Sequence, residues 1–278
     1  MLTINCKGKL ITTEIPLVMG IINATPDSFY RGDLKSGMEG ILSLADKMIA
    51  EGATILDIGG QSTKPNANAI SVQEEIDRVI PVVKAVFTKY PNTIISIDTF
   101  NSQVAVEAVN AGASMVNDVS GGELDTEMIN AVGKLKNIPY ICMHSRGNAT
   151  SMQNLTQYEN MVEEVLQYLA TKKDACTKAG IVDFIVDPGF GFAKTIAQNF
   201  SIIKNLQAFK ALHCPVLIGV SRKSSIYKTL GSTALEALNG TTVLNTLALN
   251  NGANILRVHD VKEAMEVVKL MEVYSKSY

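Results

Sequence analysis

The sequence predicts an α/β protein, a single-domain (β/α)8 TIM barrel over residues 1–278 with a short N-terminal β-hairpin. Three observations predict this fold. Eight short apolar runs rich in β-branched residues recur along the chain, helical patterns separate them, and several helix-to-strand joints carry a Gly-Ala pair. Strands that alternate with helices form parallel sheets, and eight such units over this length fit a closed barrel.

The predicted strands are too short and too β-branched to be buried helices. They lie at 17–23, 54–58, 94–98, 114–119, 138–143, 182–187, 215–220 and 253–258. Before the first of them, "TINCKGKLITT" alternates polar and apolar residues around Lys7-Gly8, which predicts the hairpin.

Helical periodicity is clearest at 38–51, 71–89 and 158–179. Gly52, Gly112 and Gly252 stand where helix C-caps belong. A doubly wound open sheet is the rival fold, but it rarely needs eight parallel strands, and no GxGxxG follows the first strand. No linker or low-complexity tract divides the chain, so we predict one domain.

Composition limits the classes of function. The chain has 278 residues and a net charge of −2, which argues against nucleic acid and anionic membranes as partners. No apolar stretch approaches the roughly 18 residues of a membrane span, and the N-terminus lacks a signal-peptide pattern. The four cysteines are far apart and form no CxxC, so we expect reduced thiols and a soluble, cytoplasmic protein.

Polar or ionisable residues follow nearly every predicted strand. They are Asn23, Asp57, Asp98, Asn117-Asp118, Met143-His144, Asp187, Ser221-Arg222-Lys223 and Arg257-Val258-His259. Barrel enzymes build their active sites at this carboxyl face. Taken singly, Asp57 or Asp118 is typical of a hydrogen-bonding turn residue. Taken together, these residues predict a pocket with acids on one side and cations on the other.

Part of this pocket suits a flat heterocycle. Asp98 and Asp187 offer carboxylate acceptors, Asn117 an amide and Lys223 an ammonium. This set matches a ring edge that presents guanidine-like N–H donors and a carbonyl.

Another part of the pocket suits an oxyanion. Arg257 and His259 are two apart on the last strand, so they point the same way, near the usual phosphate position of barrels. With Asn23 opposite, they predict a site for a diphosphate together with a divalent ion. The alternative for Arg257 is a structural salt bridge to Asp260.

Two segments are long for plain turns, 24–37 ("ATPDSFYRGDLKSG") and 59–70 ("GGQSTKPNANAI"). Loops of this size over a barrel mouth are commonly lids. The alternative is that each is merely a disordered insertion.

Motifs at these strand ends resemble the dihydropteroate synthase family, the target of sulfonamides. They are "NATPDSF", "DIGGQSTKP", "IDTF", "VNDVSGG", "MH", "DPGFGFAK", "GVSRKS" and "LRVHD", in this order from about Met19 to Asp260. The resemblance implies that 6-hydroxymethyl-7,8-dihydropterin diphosphate and 4-aminobenzoate give 7,8-dihydropteroate and pyrophosphate, with Mg²⁺ and by an SN1-like substitution. It implies a homodimer as well, although the apolar run "TTVLNTLALNN" fits packing on the barrel equally well.

The resemblance also assigns roles to individual residues. Asp98, Asn117, Asp187 and Lys223 would bind the pterin, and Met143 would line its pocket. Asn23 would ligate Mg²⁺ and the diphosphate, with Arg257 and His259 on the phosphates. Thr63, Lys64, Phe192 and Ser221 would surround the aminobenzoate. The catalytic contribution is expected from Asp98, Asp187, Lys223 and Arg257.

One departure and two alternatives bear on the function. The family usually has Arg where this chain has Lys64, which keeps the charge but loses a planar, bidentate donor. One alternative is a pterin-binding methyltransferase domain of the corrinoid-linked type, which would be expected to lack "TPDSF" and "SRKS". The other is a non-catalytic pterin-binding paralogue, which would be suspected if Asn23, Arg257 or His259 were absent.

Overall fold

The chain forms a barrel of eight parallel strands in the computed structural model, which describes residues 2–24, 37–61 and 70–277. The strands are β1 (Thr3–Cys6), β2 (Lys9–Thr12), β3 (Leu17–Asn23), β4 (Ile55–Gly59), β5 (Ile94–Asp98), β6 (Met115–Asp118), β7 (Tyr140–Met143), β8 (Phe184–Asp187), β9 (Leu217–Ile218) and β10 (Ile255–Val258). β1 and β2 pair as an antiparallel hairpin, and the rest form the order β8-β7-β6-β5-β4-β3-β10-β9.

Helices follow the barrel strands along the described chain. They are α1 (Met38–Glu51), α2 (Val72–Lys89), α3 (Ser102–Ala111), α4 (Met128–Lys134), α5 (Met161–Lys178), α6 (Ile196–Lys204), α7 (Ser224–Leu230), α8 (Leu238–Asn250) and α9 (Val261–Lys276), with 3₁₀ turns at Met152–Asn154 and Leu206–Leu212. Gly52 and Gly112 end α1 and α3 with φ of 105° and 127°, a region that L side chains avoid. The order and pairing of the strands confirm the predicted eight-stranded barrel and the N-terminal hairpin.

The seventh barrel strand is shorter than the predicted 215–220. Only Leu217 and Ile218 form regular ladder pairs, both with β10. The Val216 N–H donates to the side-chain oxygen of Asn254, 2.9 Å away, which removes one ladder position. A single parallel bridge between Val186 and Val216 closes the barrel from β8 to β9.

The hydrophobic core has two parts because strand residues alternate in direction. One part lies between the strands and the surrounding helices. The other fills the barrel interior, where Met19, Ile55, Met115, Ile185 and Ile255 pack with the hairpin residues Ile4 and Cys6. The hairpin also bonds to loops at the amino-terminal ends of the strands, through Lys7 N to Asn137 O (2.7 Å) and Lys9 Nζ to Pro91 O. It therefore covers the amino-terminal end of the barrel.

Candidate active site

The positions of the candidate site residues follow from the two-residue repeat of side-chain direction in strands. Five of these residues stand two positions after an apolar residue of the barrel interior. These pairs are Ile55 and Asp57, Met115 and Asn117, Ile141 and Met143, Ile185 and Asp187, and Ile255 and Arg257. Because residues i and i+2 face the same way, the interior ends in a polar layer at its carboxyl end.

One row of that layer crosses four neighbouring strands. Asn23 is opposite Gly59, Gly59 is opposite Asp98, and Asp98 is opposite Asn117. Gly59 contributes no side chain, and a Cβ there would lie 3.3 Å from the Asp98 Cβ. The glycine therefore leaves room beside the Asp98 carboxylate.

Arg257 joins two carboxylates at the centre of the site. Its Nε donates to Asp57 Oδ2 and its Nη2 to Asp98 Oδ2, both at 2.6 Å. Asn117 Nδ2 also donates to Asp57 Oδ2, at 3.0 Å. The alternative pairing of Arg257 with Asp260 is wrong, because Arg222 binds Asp260 through Nε and Nη2 at 2.8 and 2.9 Å.

The Asp98 carboxyl has an altered ionisation equilibrium. Burial raises its pKa to about 7, and the Asp57 charge adds to that effect, while Arg257 opposes it. Its Oδ1 atom is buried and accepts no hydrogen bond from the described residues. A buried acceptor of this kind is costly unless a donor reaches it, so Asp98 suits a ligand that presents N–H groups.

Asp187 and Lys223 form the opposite wall. Asp187 is buried, and its Oδ1 accepts from Gly189 N at 2.8 Å. Burial raises the pKa of Asp187, and Lys223 opposes the rise. Lys223 Nζ donates to the Phe190 carbonyl and lies 4.6 Å from the centre of the Phe192 ring. Burial lowers the pKa of Lys223 to about 8, so it remains mainly an ammonium at neutral pH.

Ser221 and His259 lie together at the rim between β9 and β10. Ser221 Oγ is 3.0 Å from His259 Nδ1 and accepts from the His259 N–H at 3.2 Å. The His259 side chain is exposed at the mouth. These groups can therefore reach a ligand that enters from solvent.

Not every predicted residue can be placed. Met143 is buried in β7, opposite Asp187, and Phe192 is half-buried beside Lys223. Thr63 and Lys64 lie outside the described residues, as do most of the segments 24–37 and 59–70. Their predicted contacts with aminobenzoate, and the predicted lids, stay predictions.

Asp57 and His144 were placed in the predicted pocket without an individual role, and Lys194 was not predicted as a site residue. Asp57 accepts hydrogen bonds from Arg257 and Asn117 and so belongs to the site. Asp118 is by contrast a turn residue. Its carboxylate accepts from Ser120 N, Gly122 N and Tyr140 OH at 2.7 Å each. His144 and Lys194 are both buried and contact each other behind the turn after β8. Their place inside the motifs "MH" and "DPGFGFAK" was the available signal.

The donor chemistry at the mouth fits Mg²⁺. Asn23 presents an exposed amide in the same row as Asp98. Within the described ranges, no cluster of three or more His, Cys, Asp or Glu side chains could bind a metal by itself. A cation here would therefore need oxygen ligands from its substrate, which is how Mg²⁺ usually binds beside phosphates.

Known proteins resemble this chain over most of its length. The family described as "Pterin binding enzyme" matches residues 19–259. A dihydropteroate synthase of Synechocystis sp. is 41% identical over 92% of this chain and 89% of its own. The folic acid synthesis protein fol1 of Pneumocystis carinii is also 41% identical, over 93% of this chain, which spans 36% of that longer protein.

Solved structures agree with these relatives. The dihydropteroate synthase of Yersinia pestis in a sulfonamide drug complex has a TM-score of 0.93 and 33% identity, and covers 99% of this chain and 100% of its own. That of Xanthomonas albilineans in complex with 7,8-dihydropteroate has a TM-score of 0.89 and 34% identity, with both chains covered completely (100%). The chain therefore belongs to the pterin-binding enzymes, and within them to the dihydropteroate synthase family.

Proposed function

We propose that this protein catalyses the dihydropteroate synthase reaction, in which 6-hydroxymethyl-7,8-dihydropterin diphosphate and 4-aminobenzoate give 7,8-dihydropteroate and pyrophosphate. The observation that carries this proposal is the polar layer that ends the barrel interior. Two buried carboxylates, Asp98 and Asp187, face that layer with the amide of Asn117 and the ammonium of Lys223. Family membership gives the reaction, and this layer gives it a physical basis.

The pterin edge fits the acceptors and donors of the site. Its guanidine-like N–H groups would donate to Asp187 and to Asp98, whose Oδ1 accepts no bond from the described chain. Its carbonyl would accept from Lys223 or Asn117. Such bonds to charged groups are worth about 1.5–3 kcal/mol each, so they can fix the ring in one orientation.

The substitution breaks one C–O bond and forms one C–N bond. The bond between the exocyclic carbon and the diphosphate oxygen breaks first, and its electron pair leaves with pyrophosphate. The resulting cation is delocalised into the ring, where the carboxylates of Asp98 and Asp187 stabilise it. The amino group of 4-aminobenzoate then adds to the carbon and releases one proton to solvent. The arylamine is already nucleophilic at neutral pH, so no strong general base is needed.

The leaving group would meet the cationic and hydroxyl groups of β9 and β10. His259 and Ser221 lie at the rim, and Arg257 lies deeper, between Asp57 and Asp98. Mg²⁺, bound by Asn23 and the diphosphate, would neutralise charge on the departing oxygens. Because Arg257 Nε and one N–H of Nη2 are bonded to Asp57 and Asp98, its contact with the phosphates would be made through the other N–H groups of the guanidinium.

The two alternative functions have less support. The chain has "TPDSF" and "SRKS", which the corrinoid-linked methyltransferase domains would be expected to lack. Asn23, Arg257 and His259 are all present, so the pattern expected of a non-catalytic paralogue is not met. The relatives described above are dihydropteroate synthases or a folic acid synthesis protein.

A homodimer in the cytoplasm completes the proposal. No helix within the described residues is long and apolar enough to cross a membrane. On α8, Val243 and Leu247 are 50% and 45% exposed and lie one turn apart, on the same face. The adjacent helix α9 exposes Leu270, Val273 and Tyr274 at the same kind of spacing. Exposed apolar faces on two packed helices favour association with a second copy over packing on the barrel alone.

A pyrophosphate-release assay tests the proposed reaction. We expect release from the pterin diphosphate to require 4-aminobenzoate and Mg²⁺, and a sulfonamide to compete with 4-aminobenzoate. Asp187→Asn should weaken pterin binding by about 1.5–3 kcal/mol, since a charged acceptor becomes neutral. The matched control is Asp183→Asn, at the amino-terminal side of the same strand, which should bind pterin as the wild type does. A wild-type protein without turnover under these conditions would overturn the proposal.

A further inference from the structure

We propose that Lys194, together with His144, is a positioning residue that fixes the turn 187–194 in the shape needed to bind the pterin. The proposal rests on the proposed function and adds a residue pair that touches no substrate. Both side chains are buried, at 6% and 2% exposure, and they lie behind the wall formed by Asp187, Phe192 and Lys223.

Lys194 connects two carbonyl groups of the turn with His144, the residue that follows β7. Its Nζ lies 3.0 Å from His144 Nδ1 and 3.1 Å from each of the carbonyl oxygens of Gly189 and Phe192. An ammonium has three N–H donors, so these three acceptors account for all of them. Lys194 is thus fully bonded within the turn and its support.

The turn has little freedom to replace these bonds with others. Gly189 has φ of 75°, and a Cβ there would lie 1.9 Å from the His144 carbonyl oxygen. His144 N also donates to Asp187 O at 2.9 Å. Because the backbone of the turn rests directly on His144, a change in how Lys194 and His144 meet would move the turn itself.

The same turn carries the groups that face the pterin site. Asp187 begins it and is bonded to Gly189 N. The Phe190 carbonyl accepts from Lys223 Nζ, and the Phe192 ring lies beside that ammonium. A shift of the turn would therefore displace a carboxylate, an ammonium and an aromatic ring together, and displacements of about 1 Å are enough to weaken a bound geometry.

The protonation state of the pair follows from the donors. When Lys194 is an ammonium it cannot accept, so in that form His144 Nδ1 is the acceptor and the ring proton lies on Nε2. The charged and titratable groups around the pair are Asp187, Lys223 and Arg146, with the rings of Tyr158 and Tyr168 against His144. Burial and the cations Lys194 and Arg146 lower the pKa of His144, so it stays neutral. Burial also lowers the pKa of Lys194 to about 7, and the Asp187 charge opposes that fall.

Lys194→Met tests the proposal, since it keeps the length and removes the charge and the donors. We expect the dissociation constant for pterin and the KM for the pterin diphosphate to rise roughly tenfold or more, with a smaller change in the KM for 4-aminobenzoate. The matched control is Lys173→Met on α5, where the lysine Nζ also donates to a backbone carbonyl, that of Leu212 at 2.7 Å. The control should bind pterin as the wild type does, whatever its effect on the melting temperature.

A second pair of variants decides the question if Lys194→Met does not fold. His144→Leu removes the acceptor and should weaken pterin binding in the same direction, by several-fold. His144→Asn offers an amide oxygen near the Nδ1 position and should recover most of that affinity. In the wild type, nitrogen NMR should show His144 neutral with its proton on Nε2 at pH 6, where Lys194 is mainly an ammonium.

The outcomes separate this inference from the proposed function. Wild-type protein that neither binds pterin nor releases pyrophosphate contradicts the function. A wild type that is active, with Lys194→Met and His144→Leu binding pterin within twofold of it, contradicts only the positioning role. A loss of melting temperature without any change in pterin affinity would likewise show that the pair serves stability alone.

Discussion

Charge balance at single residues decides what the site can bind. Asp57, Asp98 and Asp187 face Arg257 and Lys223, which gives three carboxylates and two cations when all are ionised. The excess negative charge favours a positively charged transition state. Burial opposes this excess, because it raises the pKa of Asp98 to about 7. The site can therefore take up a proton at Asp98 when no ligand donates to that carboxylate.

Pterin affinity should consequently depend on pH through Asp98. The raised pKa means that the free protein binds a proton at Asp98 below pH 7, and that proton competes with the N–H donors of the pterin. We expect the dissociation constant to rise about tenfold from pH 8 to pH 6, since each pH unit below the pKa costs up to tenfold. Calorimetry or fluorescence titration across this range measures it.

Asp98→Asn is the variant that tests this assignment. It should bind pterin weakly and without the loss of affinity toward pH 6, because the titrating group is gone. Asp183→Asn should keep the wild-type pH dependence, since Asp183 lies at the amino-terminal side of β8. If Asp98→Asn retains the wild-type loss toward low pH, another group titrates in this window.

At the scale of elements, sequence periodicity predicted most of the fold and the layer of the site. The positions of Asp98, Asn117 and Asp187 follow from strand ends and alternation alone. The pairing of Arg257 with Asp57 and Asp98 does not, because it joins positions 200 and 159 residues apart across the barrel. The sequence did not predict the Lys194–His144 contact or the shortening of β9 by Asn254 either. Both depend on contacts of side chains that are far apart in the sequence.

We expect the N-terminal hairpin to contribute to stability and not to the reaction, because it covers the end of the barrel opposite the site. Ile4 is buried among Leu17, Met19 and Ile55 inside the barrel, at the end opposite the site. Ile4→Ala should lower the free energy of unfolding by about 2–5 kcal/mol, the usual cost of such a truncation in a core. Chemical denaturation measures the loss, and the KM values of the remaining folded enzyme should not change.

Leu10→Ala is the control within the same hairpin. Leu10 is 67% exposed, so its truncation should change the free energy of unfolding by no more than about 0.5 kcal/mol. Equal losses in the two variants would mean that the hairpin does not fill the barrel from its amino-terminal end.

At the scale of the whole molecule, the site and the apolar faces of α8 and α9 are separate features. The site is built from strand ends, whereas Val243, Leu247, Leu270 and Val273 lie on outer helices. A dimer formed through these helices would leave both barrel mouths open to substrate. We therefore expect association to stabilise the protein without altering the chemistry of either site.

Val243→Glu should convert the proposed dimer into a monomer. A glutamate on this face would have to be buried without a partner on association, and such a charge costs several kcal/mol. Analytical ultracentrifugation at several protein concentrations should show a dimer for the wild type and a monomer for the variant. The control is Val182→Glu, at a valine that is 85% exposed before β8, which should remain dimeric. If Val243→Glu sediments as the wild type does, the α8 face is not the interface, and its apolar residues need another explanation.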